Sequence, residues 1–157
     1  MSNLDGDSES HTLRGSIDRK SLCDFRDIFQ EEEPLATTEL DNPLNPDVLT
    51  IMYNTGIGED SSGRFDIRWS TVGDYNIHYT DTARNLRWDL HHHGYTAPLD
   101  DRHYHPSPNA SNDDEDVEKS CIDVQEVETV ARAVKAAWRE CYNVGSLDIA
   151  NDLDNPP

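Results

Sequence analysis

Three successive runs of alternating apolar and polar residues most constrain what this chain can fold into. They cover residues 64–69 (RFDIRW), 75–80 (YNIHYT) and 86–91 (LRWDLH). A repeat of two residues is typical of a β-strand that buries one face and leaves the other polar. Gly73-Asp74 and residues 81–84 separate the runs, and these joints have the length and composition of hairpin turns. The sequence therefore predicts an antiparallel meander.

The segments on either side of these runs complete the predicted fold. Residues 16–30 place apolar side chains at helical spacing, and residues 124–142 carry a longer apolar stripe that includes Trp138. Residues 36–40 and 48–53 are further strand candidates. We therefore predict an α+β fold. It consists of an antiparallel β-meander of four to five strands with an N-terminal helix and a long C-terminal helix packed on its apolar face.

The sequence also predicts where the first helix begins and ends and which parts of the chain lie outside the domain. Ser16 or Ser21 is a candidate cap for the first helix. The acidic triplet at residues 31–33 lies at the end where the helix dipole disfavours negative charge, so we expect that end to fray. We expect residues 1–16 to form a disordered acidic N-terminus, 17–142 a single domain and 143–157 a flexible acidic tail. The Ser/Asn/Asp-rich stretch 106–120 is predicted to be a hydrated linker.

The charge balance indicates the environment of the protein. Asp and Glu number 32 against 13 Lys and Arg, which gives a net charge of −19, and the acids are spread along the whole chain. Such a surface is typical of a halophilic, acidic protein that stays soluble in molar salt. It does not exclude an RNA partner, because molar salt already suppresses binding through counterion release. Three cysteines without metal-like spacing and no apolar run of about 18 residues favour a soluble, cytoplasmic protein without a membrane partner.

The candidate site lies between Tyr75 and Pro106, a stretch that holds six of the seven histidines. Strand alternation places five charged or imidazole side chains on one polar face, and these are Arg68, His78, Arg87, Asp89 and His91. His93 joins them if its strand continues. His103 and His105 are two residues apart, so they project to a common side. Two His-x-His arms and one carboxylate are therefore expected to converge.

Three interpretations of this face remain open from the residues alone. In the first, it is a solvated polar surface on which Arg87 and Asp89 form an ion pair. In the second, neutral imidazoles bind Zn, Mn or Ni, with Asp89 as a ligand or an orienting group; the ligands would be His91, His93, His103 and His105. No fingerprint spacing such as His-Glu-x-x-His supports the metal interpretation.

In the third interpretation the face carries acid–base chemistry that needs no cofactor. A pair of histidines near neutral pH can take and return a proton while an arginine holds an anionic phosphate. The candidate phosphate-holding arginines are Arg68, Arg87 and Arg102. A site that cleaves RNA needs this combination of groups.

Residues 87–106 (RWDLHHHGYTAPLDDRHYHP) resemble the TumE-type toxins of prokaryotic toxin–antitoxin pairs. Those proteins carry an aromatic/His strand, an Arg-Tyr-Asp-type step that runs into consecutive histidines, and a second His cluster before a terminal helix. Here the corresponding segments are 75–79 (YNIHY), 87–93 (RWDLHHH) and 103–105 (HYH). Trp88 stands where Tyr is usual. The resemblance covers about Phe65 to Tyr142.

The resemblance implies a toxin that inhibits growth and is neutralised by an antitoxin protein. Its functional positions correspond here to Arg87, Asp89, His91, His93, His103 and His105. Combined with the acid–base interpretation, it predicts a ribonuclease-like hydrolase or transferase. His91 or His103 would be the general acid or base, Arg87 the anion clamp, and Asp89 would fix a His tautomer or hold Arg87. Substrate binding is assigned to Arg68, His78 and Arg102. The alternative function is a non-catalytic, histidine-rich metal-binding or protein-interaction module.

Overall fold

The computed structural model describes residues 13–90, 102–113 and 115–153. These residues form two α-helices and seven β-strands. The first helix, α1 (Arg19–Glu32), precedes the strands, and the second, α2 (Val127–Val144), follows them. The strands are β1 (Ala36–Leu40), β2 (Leu49–Tyr53), β3 (Gly63–Trp69), β4 (Tyr75–Thr80), β5 (Asn85–Leu90), β6 (Arg102–His105) and β7 (Glu118–Lys119).

The strands form one sheet in which each strand pairs antiparallel with the next, in the order β1 to β7. The predicted α+β meander is therefore confirmed, but the predicted count of four to five strands is wrong, because the described residues form seven. The two additional strands are β6 and β7. They are four and two residues long, too short for an alternation that could be recognised. β6 pairs with the free edge of β5, and β7 then pairs with β6.

The apolar face of the sheet and both helices enclose the core. Trp138 of α2 stacks on Tyr53 of β2 with ring centroids 3.6 Å apart, and Phe25 of α1 lies against Trp69 of β3. Each large side chain buried in this way contributes about 1.5–3 kcal/mol. The opposite face, which we call the outer face, carries the alternate residues of each strand. The core therefore fixes which side chains the outer face displays.

The start of α1 is fixed by a side chain that the sequence did not single out. Asp18, rather than Ser16 or Ser21, is the N-cap, and its carboxylate accepts hydrogen bonds from the Ser21 backbone N–H (3.4 Å) and hydroxyl (2.8 Å). The Asp18 backbone N–H donates to the Trp69 carbonyl at 2.8 Å. The predicted caps are wrong because this bond to β3 places Asp18 at the helix start.

The acidic end of α1 does not fray, because cations from α2 compensate it. The helix continues through Glu32, whose carboxylate accepts from Arg132 Nη2 at 3.0 Å and from Lys135 Nζ at 2.9 Å. These partners are about a hundred residues away in sequence. The expectation from the helix dipole was therefore wrong, since tertiary ion pairs outweigh the unfavourable end charge.

Glu33, just after α1, is a fully buried carboxylate. Arg139 of α2 donates both Nε (2.9 Å) and Nη2 to it, and the Tyr53 hydroxyl donates at 3.0 Å. Burial alone would raise the pKa of Glu33, but the hydrogen bonds from Arg139 and Tyr53 outweigh burial and hold its pKa below the usual value. Glu33 thus joins α1, α2 and β2 through one charge.

The described part of the predicted tail packs on the core. Gly145 ends α2 with a left-handed φ of 82°, and Leu147 and Ala150 after it are buried. The Asn151 side-chain oxygen accepts from Trp88 Nε1 at 3.2 Å. Residues 1–12 and 154–157 lie outside the described residues, so the domain boundaries stay predictions. Within the described parts of the chain, neither helix is long and apolar enough to cross a membrane.

Replacing Glu33 by Gln should reveal its charge as a pH-dependent part of stability. We expect a loss of about 1–2 kcal/mol near neutral pH, kept small because the Arg139 side chain is 40% exposed to solvent. A folded-state pKa below the unfolded value of about 4.3 stabilises the protein above that pH, and the contribution disappears as pH falls through the lowered pKa. Denaturant unfolding of both proteins from neutral to acidic pH should therefore show the difference shrinking below about pH 4. A constant difference would contradict this role.

Candidate functional site

The pairing of β5 with β6 brings four of the predicted site residues onto adjacent strands. Arg87 lies directly opposite His105, and Asp89 lies directly opposite His103. Directly opposed residues of an antiparallel pair have Cβ atoms only about 4.5–5.5 Å apart. We call Arg87, Asp89, His103 and His105 the outer-face cluster. Its members come from two strands that are separated by residues 91–101 in sequence.

The Asp89 carboxylate lies at the centre of the outer-face cluster. Its Oδ2 accepts a hydrogen bond from Arg87 Nε at 2.9 Å and faces His105 Nε2 at 3.1 Å. The Asp89 side chain is completely buried. A buried carboxylate is costly unless charged or polar partners compensate it. Arg87 and His105 provide that compensation.

His105 is held through both of its ring nitrogens. Nδ1 lies 2.8 Å from the carbonyl oxygen of Ser111, and Nε2 faces Asp89. Because a carbonyl oxygen can only accept, Nδ1 carries a hydrogen and donates it. When Nε2 is also protonated, both nitrogens donate to oxygens and the contact with Asp89 is a charge-assisted hydrogen bond. His105 is thus placed to orient the carboxylate rather than to exchange protons with a ligand.

Arg87 connects the outer-face cluster to the segment that follows β6. Its Nη2 donates to the Asn112 side-chain oxygen at 2.9 Å. The same segment is fastened to β5 where the Asn85 backbone N–H donates to the Pro108 carbonyl at 2.7 Å. Residues 106–113 therefore lie against the outer face, although the sequence predicted a hydrated linker there. The sequence did not single out Ser111 or Asn112. Ser111 contributes its backbone carbonyl, and Asn112 is one of several similar polar residues in this segment.

His103 is the second imidazole of the outer-face cluster and is fully buried. It lies between Asp89 on β5 and Lys119 on β7 in the strand register. The predicted general acids or bases are His91 and His103, and only His103 is among the described residues. Its position beside Asp89 gives it a carboxylate neighbour, which is the usual means of orienting a catalytic imidazole.

The three predicted substrate-binding residues lie in different places. His78 is on the outer face of β4, directly opposite Arg87. Arg68 is exposed on the outer face of β3, two strands away from Asp89. Arg102 pairs with Leu90, so strand alternation places it on the apolar side of the sheet. Arg68 and His78 therefore share a face with the outer-face cluster, and Arg102 does not.

His91 and His93 lie outside the described residues. Of the four predicted metal ligands, the structure therefore describes His103 and His105, and both belong to the outer-face cluster. Within residues 13–90, 102–113 and 115–153, there is no group of three or more His, Cys, Asp or Glu side chains that could hold a metal ion. Binding of Zn, Mn or Ni stays a prediction.

The cysteines near the core do not offer an alternative nucleophile. Burial raises the pKa of the Cys121 thiol to about 11 and that of the Cys141 thiol to about 12. Both thiols therefore remain protonated at neutral pH, and a thiol is a much weaker nucleophile than a thiolate. Cys141 is part of the core, and the partly buried Cys121 packs against it.

Comparison with known proteins identifies the family. A protein-family model described as Toxin TumE matches residues 25–144. The match begins in α1, ends with α2 and contains the whole outer-face cluster. It extends the stretch of resemblance, which began at Phe65, across the N-terminal part of the sheet. No curated protein and no solved structure matches the chain. Because the family model covers most of its length, the chain belongs to the TumE toxin family.

Proposed function

We propose that this chain is the toxin of a toxin–antitoxin pair and that it acts on RNA in the cytoplasm through the outer-face cluster. Membership of the TumE toxin family supports the toxic role and implies an antitoxin as partner. The observation that supports the site is the buried Asp89 carboxylate, which contacts both Arg87 and His105. Asp89 thereby holds the Arg87 guanidinium, the group that would bind a phosphate, while His103, directly opposite Asp89, is the imidazole that would move a proton.

The proposed chemistry is general acid–base cleavage of a phosphodiester. The 2′-hydroxyl of the RNA attacks the phosphorus, one imidazole takes the hydroxyl proton, and a second imidazole returns a proton to the leaving 5′-oxygen. His103 is one of these imidazoles and His91 is the predicted other. Arg87 stabilises the negative charge that develops on the phosphate oxygens. The bond to the 2′-oxygen forms as the bond to the 5′-oxygen breaks, so no cofactor takes part.

Asp89 and His105 have supporting roles in this proposal. Asp89 orients the Arg87 guanidinium through Nε and thereby fixes its direction. His105 contacts the same oxygen of Asp89 and is anchored by the Ser111 carbonyl. Groups held from two sides lose little freedom when a substrate binds, and preorganisation of this kind is what electrostatic stabilisation requires. His78 and Arg68, on neighbouring strands of the same face, are the proposed contacts for the rest of the RNA.

A purely structural role is the competing explanation for the outer-face cluster. In that case its bonds serve to fasten residues 106–113 onto β5. The two explanations differ in what a substitution changes. A structural role predicts that toxicity and thermal stability decline together, whereas a catalytic role predicts that toxicity is lost in variants that remain folded.

Expression of the wild-type chain without its partner should arrest growth of a salt-tolerant host. We expect the conservative variants His103→Asn and Arg87→Lys to relieve the arrest. Asn cannot exchange protons near neutral pH, and Lys lacks the bidentate geometry of Arg. Thr50→Val is the matched control, because Thr50 bonds Asp66 on the same face outside the cluster. Thermal unfolding of each purified variant checks the fold. Continued arrest by folded His103→Asn and Arg87→Lys would reject the proposed site.

The purified chain should cleave the total RNA of the host and leave a single-stranded DNA of matched sequence intact, because DNA lacks the 2′-hydroxyl. Loss of a general acid or base slows a reaction by about 10²–10⁴-fold, and we expect a change of that size for His103→Asn. The rate should be unaffected by EDTA. Cleavage that appears only after addition of Zn, Mn or Ni would instead favour the metal interpretation, and equal cleavage of DNA would exclude attack by the 2′-hydroxyl.

A further inference from the structure

His78 differs from the two imidazoles of the outer-face cluster in its access to solvent. His103 and His105 are 0% and 1% exposed, whereas His78 is partly exposed. It lies on the outer face of β4, directly opposite Arg87, whose side chain is also partly exposed. Directly opposed residues of an antiparallel pair have Cβ atoms about 4.5–5.5 Å apart. A phosphate that binds to Arg87 therefore comes within reach of His78.

A bond to Asn85 determines which ring nitrogen of His78 carries the hydrogen. The Asn85 side-chain nitrogen Nδ2 donates to the Pro108 carbonyl at 3.3 Å, and the amide oxygen Oδ1 faces His78 Nε2 at 3.0 Å. Because the Pro108 carbonyl can only accept, the amide nitrogen must lie on its side and the amide oxygen on the side of His78. That oxygen also can only accept, so Nε2 is the donor. In the neutral ring, Nδ1 therefore carries a lone pair.

The second ring nitrogen of His78, Nδ1, is available to accept a proton. Among the described residues, Nδ1 has no hydrogen-bond partner. His105 differs, because each of its ring nitrogens lies against an oxygen atom. A general base needs an unprotonated atom that the substrate can reach. In the described part of the chain, His78 is the outer-face imidazole that meets both conditions.

The neighbour of His78 on the other side is acidic, but its charge is compensated. Asp66 of β3 lies directly opposite His78. Both of its carboxylate oxygens accept hydrogen bonds, Oδ2 from Arg64 Nε at 3.1 Å and Oδ1 from the Thr50 hydroxyl at 2.9 Å. The ion pair with Arg64 weakens the repulsion that Asp66 exerts on a phosphate. The strand order therefore places His78 between a compensated acid and Arg87, the proposed phosphate-binding group.

We infer that His78 is the general base of the proposed RNA cleavage and that Asn85 is the residue that positions it. The inference rests on the proposed function for the identity of the substrate. His78 Nδ1 takes the proton of the 2′-hydroxyl as the 2′-oxygen forms its bond to phosphorus. The bond from phosphorus to the 5′-oxygen breaks, and that oxygen takes a proton from the second imidazole, for which His103 is the candidate. The products are a 2′,3′-cyclic phosphate and a 5′-hydroxyl, and His78 returns its proton to water. His78 thereby takes the role for which His91 was predicted.

A base and a mere RNA contact differ in the kinetic constant that they affect. Loss of a base lowers kcat, whereas loss of a binding contact raises KM and leaves kcat unchanged. The substrate for the test is a fluorescein-labelled single-stranded RNA of mixed sequence. We expect His78→Gln to lower kcat by about 10²–10⁴-fold and to bind the uncleaved DNA of the same sequence as the wild type does.

Thr80→Val is the matched control for His78→Gln. Thr80 lies two residues further along the same face of β4, and in the described structure its hydroxyl forms no hydrogen bond. Valine has a similar shape and favours a strand as threonine does, so this variant should keep the kcat of the wild type. Thermal unfolding of both purified variants checks that they are folded.

Nitrogen-15 NMR of a histidine-labelled sample tests the role of Asn85 without any cleavage. With a neutral His78 ring, we expect a protonated Nε2 and an unprotonated Nδ1. Asn85→Leu removes the oxygen that fixes this tautomer, so a share of the His78 rings should carry the hydrogen on Nδ1 instead, and kcat should fall by a smaller factor than in His78→Gln. A protonated Nδ1 in the wild type would overturn the inference.

The kinetic outcomes separate this inference from the proposed function. If the wild type cleaves RNA, an unchanged kcat in folded His78→Gln overturns the inference and leaves the proposed function intact. A large loss of kcat in His91→Gln but not in His78→Gln assigns the base to His91, with the same consequence. An equal loss in Thr80→Val also rejects His78 as the base. A wild-type chain that does not cleave RNA overturns the proposed function and this inference with it.

Discussion

Alternation along β5 is the constraint on which both the core and the candidate site depend. Trp88 points to the apolar side, where it lies near Phe65 and bonds Asn151, so Arg87 and Asp89 must point to the outer face. A shift of the strand by one residue would exchange the two faces and place Asp89 in the core. The anchoring of Trp88 therefore fixes the position of Asp89. The register of β5 therefore determines the position of both the core residue Trp88 and the candidate site residue Asp89.

Two buried carboxylates organise the described structure in the same physical way. Glu33 connects the helices to the sheet through Arg139 and Tyr53, and Asp89 connects β5, β6 and residues 106–113 through Arg87 and His105. Each buried charge is compensated by an arginine and by one further donor or imidazole. Asp74 is buried in the same way, and its carboxylate bonds Arg14, which is 60 residues away in sequence. The difference lies in the partners, since only Asp89 has an imidazole beside it.

The sequence predicted those parts of the fold that local alternation controls, and missed those that tertiary pairing controls. β4 was predicted to the residue, and β2, β3 and β5 to within one residue, because apolar and polar side chains alternate along them. β6 was not recognised as a strand, although the spacing of His103 and His105 placed them on a common side. The same spacing would have placed Arg102 on the opposite face once β6 was known. The opposition of Asp89 and His103 depends on register, which sequence spacing across residues 91–101 does not determine. The contacts of Ser111, Asn112 and the α2 cations arise only in the folded chain.

The central claim is that Asp89 and His105 interact directly on the outer face, and the tautomer of His105 tests it most directly. Nitrogen-15 NMR of a sample labelled at histidine distinguishes protonated from unprotonated ring nitrogens. The structure predicts a protonated Nδ1 on His105, and an Nε2 resonance that changes when Asp89 is replaced by Asn, while the Nδ1 resonance keeps the signature of its bond to Ser111. An unprotonated Nδ1, or an Nε2 resonance unaffected by Asp89→Asn, would contradict the account.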